Sequence, residues 1–412
     1  EAWSFLPPNL MSKLKNMTHT THPTALGHQY FVDGPVTVAD VWCVTPNASC
    51  GTGTAKADNS WATIMVFGLG RGATSHSWSS SQYCDSGISA TYSASYPYYC
   101  GYHALNLTNS LSPTYLWRMS PNSSQAPYLG DSWSKVMTGR VKVNDSSGAV
   151  IEKWVGFFGG GYNAGDCKSG SCDTRGKGFY VVDLYDGTIL WTFTNGSTTS
   201  STNSTDMDYS IPAQAAIVDS DNDSFIDLVY IGDMGGNMWR FKLCLSTDNY
   251  CAPTAGTNIT KTWSGNMLFD SATGNIRPIY TSAAVAPDAV GNLWVYWGTG
   301  DKTDPTASNA QEHFYGLKDN DRTTTYTTSN IDNLTSANQT YDTTKAGWRV
   351  QLAGGGEKIL ADPTVFGGVV YFTTYTPASG NNPCEQGGTA SLYGVNYNTG
   401  AGALSEGARS MT

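Results

Sequence analysis

The chain has 412 residues, enough for a large core, and its formal net charge of -10 argues against nucleic acid, whose phosphates would be repelled. Only 14% of the residues are charged, whereas Gly (45), Tyr (24) and Trp (13) are abundant, which is typical of an extracellular β-protein with long polar loops. The sequence contains no apolar run long enough to cross a bilayer, so we expect no transmembrane segment.

Short hydrophobic runs with a period of two recur along the chain and are separated by Gly, Asp-Gly and Gly-Asn turns, which predicts antiparallel hairpins. Five groups of such runs are readable, and repeated groups of up to four strands predict a β-propeller. The first group covers residues 36–42, 61–70, 103–108 and 115–117, and the second begins near 133 and continues through 153–162 and 178–191. The third runs from 211 to 243, including an acidic loop, with 263–269 as its outer strand. The fourth covers 279–285, 293–300, 314–317 and 348–350, and the fifth covers 359–365, 369–374 and 392–397.

The groups begin roughly 70 to 100 residues apart, which is longer than the ~40 to 45 of a regular blade, so long polar insertions are expected. The candidates are residues 73–100, 195–208 and 321–344, which are rich in Ser, Thr, Asn or Tyr. Residues 9–16 show the only hint of a helix, with Leu10 and Leu14 one turn apart.

Nine cysteines suggest loops stapled by disulfides in an oxidising compartment, because eight of them form short-range pairs within polar segments. None has the C-x2-C spacing of a zinc site. The predicted pairs are Cys43 with Cys50, Cys84 with Cys100, Cys167 with Cys172, and Cys244 with Cys251, which leaves Cys384 alone.

The sequence Asp219-Ser-Asp-Asn-Asp-Ser-Phe-Ile-Asp227 predicts a calcium loop inside the third group. Carboxylates at loop positions 1, 3, 5 and 9 (Asp219, Asp221, Asp223 and Asp227) and the main-chain carbonyl of Phe225 at position 7 would form an oxygen cage for a hard cation. Four converging carboxylates would repel one another without such a cation. The alternative is a solvated acidic turn, which Asp, Asn and Ser also favour.

Two departures from the standard calcium loop predict a modest affinity suited to extracellular calcium. Ser224 stands at position 6, where Gly allows the sharp turn, and Tyr230 stands at position 12, where an EF-hand has a bidentate Glu. The loop also continues into a strand rather than a helix. Asp301 and Asp304 are a weaker pair of candidate ligands, for which a turn is the simpler explanation.

Several segments in a characteristic order resemble the C-terminal β-propeller domain of PilY-type type IV pilus tip adhesins. They are Trp3-Ser-Phe-Leu-Pro-Pro8, Tyr30-Phe-Val-Asp-Gly34, Gly68-Leu-Gly-Arg-Gly72, Gly161-Tyr-Asn163, Val182-Asp-Leu184, and the loop together with the strands that follow it to Phe241. The resemblance implies a modified propeller of about seven blades, calcium bound by the nine-residue loop, and one calcium-binding domain over residues 1–412 as the C-terminal part of a longer protein.

The resemblance further implies a non-enzymatic, exported protein at the pilus tip or outer cell surface, acting in pilus assembly, retraction control, surface attachment and surface sensing. Its partners would be minor pilins of the tip complex and a host or abiotic surface. Three departures limit the transfer: the adhesive N-terminal half and its D-x-S-x-S motif are not in this sequence, there is no R-G-D tripeptide, and five groups are readable rather than seven.

The sequence is also compatible with two other functions. A standalone lectin-like or matrix-like binding module could use the exposed aromatic rings of Tyr96, Tyr98 and Tyr99 beside Cys100, although the same rings could pack on their own loop. Residues 182–191 also resemble the Trp-containing blade repeat of pyrroloquinoline quinone dehydrogenases, but those enzymes have adjacent cysteines and this chain has none. Neither H-E-x-x-H nor G-x-S-x-G occurs.

Overall fold

The structure, a computed structural model, describes residues 2–7, 10, 30–43, 56, 60–73, 101–119, 128–166, 174–196, 204–243, 259–271, 276–307, 311–378 and 387–411. These residues form strands and short 3-10 turns, which confirms the predicted all-β class. Among them, no helix is long and apolar enough to cross a membrane. The 3-10 turns are Gly70–Ala73, Ser204–Asp206, Ile259–Lys261, Thr328–Asn330 and Ser405–Gly407.

The chain divides into two compact units, of which the first comprises residues 1–212, 219–227 and 243–264. It holds two four-stranded antiparallel sheets whose strands follow chain order. Sheet 1 contains β1 (Val36–Trp42), β2 (Trp61–Gly68), β3 (Tyr102–Asn106) and β4 (Thr114–Met119). Sheet 2 contains β5 (Met137–Asn144), β6 (Val150–Gly159), β7 (Gly178–Asp183) and β8 (Ile189–Thr194).

The second unit comprises residues 213–218, 228–242 and 265–412 and carries three further sheets. Sheet 3 contains β9 (Ala216–Val218), β10 (Leu228–Gly232), β11 (Met238–Lys242), β12 (Ser264–Asp270) and, paired in parallel with β12, β16 (Tyr326–Thr327). Sheet 4 contains β13 (Ala284–Pro287), β14 (Leu293–Gly298), β15 (His313–Asp319), β18 (Gly347–Gln351) and β17 (Ile331–Leu334). Sheet 5 contains β19 (Thr364–Phe366), β20 (Val369–Thr376), β21 (Thr389–Asn396) and β22 (Ser410–Met411).

Aromatic rings fill the core of each unit. In the first unit, Tyr102 of sheet 1 lies 4.4 Å from Phe158 of sheet 2 between ring centroids. In the second, Phe314 of sheet 4 stacks on Phe372 of sheet 5 at 3.8 Å. These rings are buried, so apolar burial between facing sheets stabilises both units.

A glycine ends the second strand of each of the first four sheets because another part of the chain lies against it. A Cβ on Gly159, for example, would lie 2.3 Å from the carbonyl oxygen of Ile211, and a Cβ on Gly232 would lie 2.3 Å from Cγ2 of Ile279. The residues found against these four glycines, Gly68, Gly159, Gly232 and Gly298, are respectively Ser132, Ile211, Ile279 and Ile359. Each contacting residue stands five positions before the next sheet's first strand.

This packing explains two errors in the predicted strand boundaries. The runs from Ile279 and from Ile359 were predicted to be strands from their first residue, but β13 begins at Ala284 and β19 at Thr364. The two isoleucines are buried because they pack on glycines, not because they lie in a sheet. Hydrophobicity alone therefore placed both strands too early.

The predicted insertion at residues 321–344 is partly wrong as well, because it contains β16 and β17. Ile331 and Leu334 are buried within this polar stretch, and β17 pairs in parallel with β18. The predicted helix at 9–16 falls outside the described residues except for Leu10, as does most of the 73–100 insertion.

Candidate metal centre

The aspartates of residues 219–227 stabilise the tight turn of their own loop by accepting hydrogen bonds from its main chain. Asp219 accepts the Asp223 N–H through Oδ1 (3.2 Å) and the Ser224 N–H through Oδ2 (2.8 Å). Asn222 and Ser224 have φ of 59° and 71°, in the left-handed region that favours glycine. The sharp turn expected at position 6 is therefore present, although a serine makes it.

Three of the four predicted carboxylates converge. Oxygen atoms of Asp219, Asp221 and Asp227 all lie within 4.8 Å of one another. Asp227 is fully buried, and its Oδ2 accepts the main-chain N–H (2.7 Å) and the hydroxyl (3.0 Å) of Ser220. Its Oδ1 is also buried and accepts no hydrogen bond from the residues that the structure describes. A buried carboxylate oxygen left in this way needs a proton or a cation.

The electrostatics of the cluster lead to the same requirement. Burial raises the pKa of Asp227 from 3.8 to about 6; the Ser220 hydrogen bonds oppose the rise, while the charges of Asp221 and Asp223 add to it. A divalent cation would remove this penalty, and carboxylate oxygens are the ligands that calcium prefers. The residues present therefore fit a hard cation.

The fourth predicted ligand, Asp223, has different partners. Its Oδ2 lies 2.8 Å from Nζ of Lys142 in β5, and its Oδ1 accepts the Phe225 N–H at 2.9 Å. The Phe225 ring contacts two cations, with Nζ of Lys142 at 4.4 Å and the guanidinium carbon of Arg140 at 4.9 Å from its centroid. The role of the Phe225 carbonyl as a ligand stays a prediction.

The second half of the loop lies along β5, the edge strand of sheet 2. Arg140 donates from Nε to the Ser224 carbonyl (3.1 Å), and the Ile226 N–H donates to the Arg140 carbonyl (2.9 Å). Gly139 makes room for this contact, since a Cβ there would lie 2.6 Å from Cγ1 of Ile226. By its contacts the loop belongs to the first unit.

The other sequence candidates add nothing to this site. Asp301 accepts hydrogen bonds from Thr303, and Asp304 from Thr306, as in ordinary Asx turns. Tyr96, Tyr98 and Tyr99 lie outside the described residues. Cys43 is disulfide-bonded, but the other eight cysteines lie outside the described part of the chain, so the four pairings stay predictions.

The family model described as the PilY1 beta-propeller domain matches residues 103–348, which is more than half of the sequence. The chain belongs to the PilY1 β-propeller family. The matched region includes both β5 and the whole acidic loop.

Two curated relatives resemble this PilY1-family chain over nearly all of its length. The type IV pilus biogenesis factor PilY1 homolog of Xylella fastidiosa (strain Temecula1 / ATCC 700964) is 23% identical over 98% of the chain and 25% of the relative. The type IV pilus biogenesis factor PilY1 of Pseudomonas aeruginosa (strain UCBPP-PA14) is 25% identical over 97% of the chain and 34% of the relative. The chain thus spans about a quarter to a third of these relatives.

A solved structure confirms the fold. The crystal structure of the Pseudomonas aeruginosa PilY1 C-terminal domain matches with a TM-score of 0.62 at 18% identity, covering 97% of this chain and 75% of that one. Together with the family match, this confirms the predicted β-propeller class.

Sequence reasoning missed three residues around the loop of this PilY1-family chain. Ser220 holds Asp227, while Arg140 and Lys142 hold the loop's second half. The sequence did contain a hint of Arg140 and Lys142. The chain has only 23 Lys and Arg residues, and these two stand two positions apart on β5, so they lie on the same face of the strand. Nothing in the sequence paired that strand with the loop.

Proposed function

We propose that the chain is the calcium-binding propeller of a type IV pilus protein that acts at the pilus tip in assembly, retraction control, surface attachment and surface sensing. The observation that carries the calcium part is the buried, donor-free Oδ1 of Asp227 within a cluster of three carboxylates. Membership of the PilY1 β-propeller family and the printed names of the curated relatives support the pilus part.

Calcium is the ion that the donor set favours. All the candidate ligands are oxygen atoms, and among the described residues neither a histidine nor a thiolate joins the cluster; such a set suits a large hard cation rather than zinc. Asp219, Asp221 and Asp227 would hold the ion, with Asp223 and the Phe225 carbonyl as further ligands. The ion would supply positive charge that neutralises the converging carboxylates. Ser220 orients Asp227 for this by donating two hydrogen bonds to its other oxygen.

The role of such a site is structural. Ligation at both ends of the loop, at Asp219 and Asp227, would fix the turn, and β5 already holds its second half through Arg140. In the whole protein we place this rigid loop at the pilus tip outside the cell, with minor pilins and a host or abiotic surface as partners. Residues 1–412 would act there as one non-enzymatic domain.

Neither alternative has a structural observation of its own. The binding-module hypothesis depends on Tyr96, Tyr98 and Tyr99, which lie outside the described residues. The quinoprotein hypothesis lacks the adjacent cysteines in the sequence.

Thermal unfolding with calcium and with chelator tests the metal part. At a calcium concentration a hundredfold over the dissociation constant, the folded state gains about 2.7 kcal/mol, so the chelator should lower the melting temperature. Asp219→Ala should abolish this response and the bound metal, whereas Asp40→Ala, at an exposed position of β1, should keep both. If wild-type melting and metal content do not respond to chelator, the calcium proposal is wrong.

The pilus part is tested separately in the source organism. Deleting the parent gene should impair piliation and twitching, and the full-length wild-type gene should restore them. Restoration by the Asp219→Ala gene with unchanged retraction and attachment would show that calcium has no part in pilus function. Normal pili in the deletion strain would instead favour the binding module.

A further inference from the structure

Lys142 of β5 forms an ion pair with one of the four loop aspartates. Its Nζ lies 2.8 Å from Oδ2 of Asp223. The other oxygen of Asp223 accepts the Phe225 N–H. Both oxygens of this carboxylate therefore have partners other than the group formed by Asp219, Asp221 and Asp227.

The ammonium group of Lys142 and a divalent ion bound in the loop would compete for the same carboxylate, that of Asp223. To join a divalent ion held by the other three aspartates, Oδ2 of Asp223 has to leave the ammonium group of Lys142. A single ammonium neutralises one charge, whereas a divalent ion among four carboxylates neutralises two and also supplies coordination to the buried Oδ1 of Asp227. The pair is partly solvated, with 36% and 24% of the two side chains exposed, so its loss is a modest cost.

We propose that Lys142 is a built-in competitor for Asp223 and thereby sets the calcium affinity of the loop. The inference rests on the proposed calcium function and adds the residue that regulates it. Calcium binding displaces the ammonium group from Asp223, and the Phe225 ring, whose centroid lies 4.4 Å from Nζ, keeps a cation–π contact with the displaced lysine.

Arg140 offers a matched comparison on the same strand. Its side chain contacts the Phe225 ring as Lys142 does, but its hydrogen bonds go to the Ser224 carbonyl and to Glu152. Removing either side chain deletes one positive charge beside the loop. Only the removal of Lys142 frees a loop carboxylate.

Isothermal titration with calcium at fixed ionic strength tests the proposal on the whole chain. Lys142→Met should bind calcium about two- to fivefold more tightly than wild type, the range that a partly exposed ion pair allows. Arg140→Met should bind no more tightly than wild type. Equal or weaker binding by Lys142→Met, or equal tightening in both variants, would overturn the proposal.

Amine labelling followed by mass spectrometry provides a second readout that does not depend on affinity. Calcium should speed acylation of Lys142 and leave Lys153 unchanged, because Lys153 pairs with Asp183 (2.6 Å) away from the loop. In Asp223→Asn, Lys142 should react quickly with or without calcium. A calcium-binding wild type whose Lys142 labelling does not change would refute the competition alone, whereas absence of calcium binding in both wild type and Lys142→Met would refute the proposed function and this inference together.

Discussion

Replacing Asp227 with Asn separates the two energetic roles of the buried carboxylate. Asn keeps the shape and still accepts the two Ser220 hydrogen bonds through its amide oxygen. Its amide NH2 would take the position of the donor-free Oδ1, among the carboxylates of Asp219 and Asp221. The variant therefore removes a buried charge without leaving a cavity.

The raised pKa of Asp227 gives the sign and the approximate size of the change in the free energy of unfolding. Because folding raises the pKa of Asp227 from 3.8 to about 6, the folded state binds the proton more tightly than the unfolded state. The resulting destabilisation is absent below pH 3.8, grows between pH 3.8 and about 6, and is complete above that, where it corresponds to about 3 kcal/mol. Water at exposed Asn222 and Ser224 screens part of it, so we expect about 2 kcal/mol.

Guanidinium unfolding followed by tryptophan fluorescence measures this effect. In chelator at pH 7.5, Asp227→Asn should unfold with a free energy about 2 kcal/mol higher than wild type, and the difference should nearly vanish at pH 4. Saturating calcium should stabilise wild type and leave the variant almost unchanged, which closes the gap at pH 7.5. A variant that is less stable than wild type in chelator at pH 7.5 would refute the reasoning.

Asp145→Asn is a control for which we expect the opposite change in stability at neutral pH. Hydrogen bonds from Ser147, its hydroxyl foremost, lower the pKa of exposed Asp145. Its ionised form therefore stabilises the folded state above pH 3.8, and this contribution is lost as the pH falls through the lowered pKa. The Asn variant should lose stability at pH 7.5, and its deficit should shrink toward acid pH whether or not calcium is present.

Three further changes test the loop and the second unit by measured free energies of unfolding. Ser224→Gly should be about 1 kcal/mol more stable than Ser224→Ala, because φ is 71° there; equal stabilities would show that the left-handed turn is not retained in solution. Gly139→Ala should cost about 1 to 3 kcal/mol by pushing Cβ against Ile226, and the cost should shrink in an Ile226→Ala background; an unchanged cost would place the strain elsewhere. Arg240→Met should cost about 3 to 5 kcal/mol by leaving buried Asp319 without its ion-pair partner, and adding Asp319→Leu should recover part of the loss; no recovery would refute this explanation.

Most strands could be predicted because their signals are local. Asp233-Met-Gly-Gly-Asn-Met-Trp239 and Asp288-Ala-Val-Gly-Asn-Leu-Trp294 share one pattern, and both form hairpin turns. In each turn the Asp Oδ2 accepts the Asn amide and the Trp indole N–H. Contacts that close within seven residues are visible in the sequence, unlike the packing of Ile279 on Gly232.

The candidate site shows the same difference between contacts that are local in sequence and contacts between distant segments. The spacing of Asp219, Asp221 and Asp227 predicted a cluster that the structure forms, because these residues lie in one tight loop. The partner of Asp223 could not be predicted, since Lys142 lies 81 positions away and reaches the loop only once sheet 2 has formed. Local spacing therefore predicts which atoms can ligate, and tertiary packing decides which of them are already engaged.

The ion pair between Lys142 and Asp223 is a second physical reason to expect a modest calcium affinity. Ser224 and the missing position-12 glutamate would lower calcium affinity from within the loop, and in the proposed competition Lys142 would lower it further by holding one of the four carboxylates. The same ion pair leaves fewer unneutralised charges in the ion-free loop, so it would stabilise that loop while it lowers calcium affinity. A loop with the same aspartates but an apolar residue at the Lys142 position would bind calcium more tightly and depend on it more for folding.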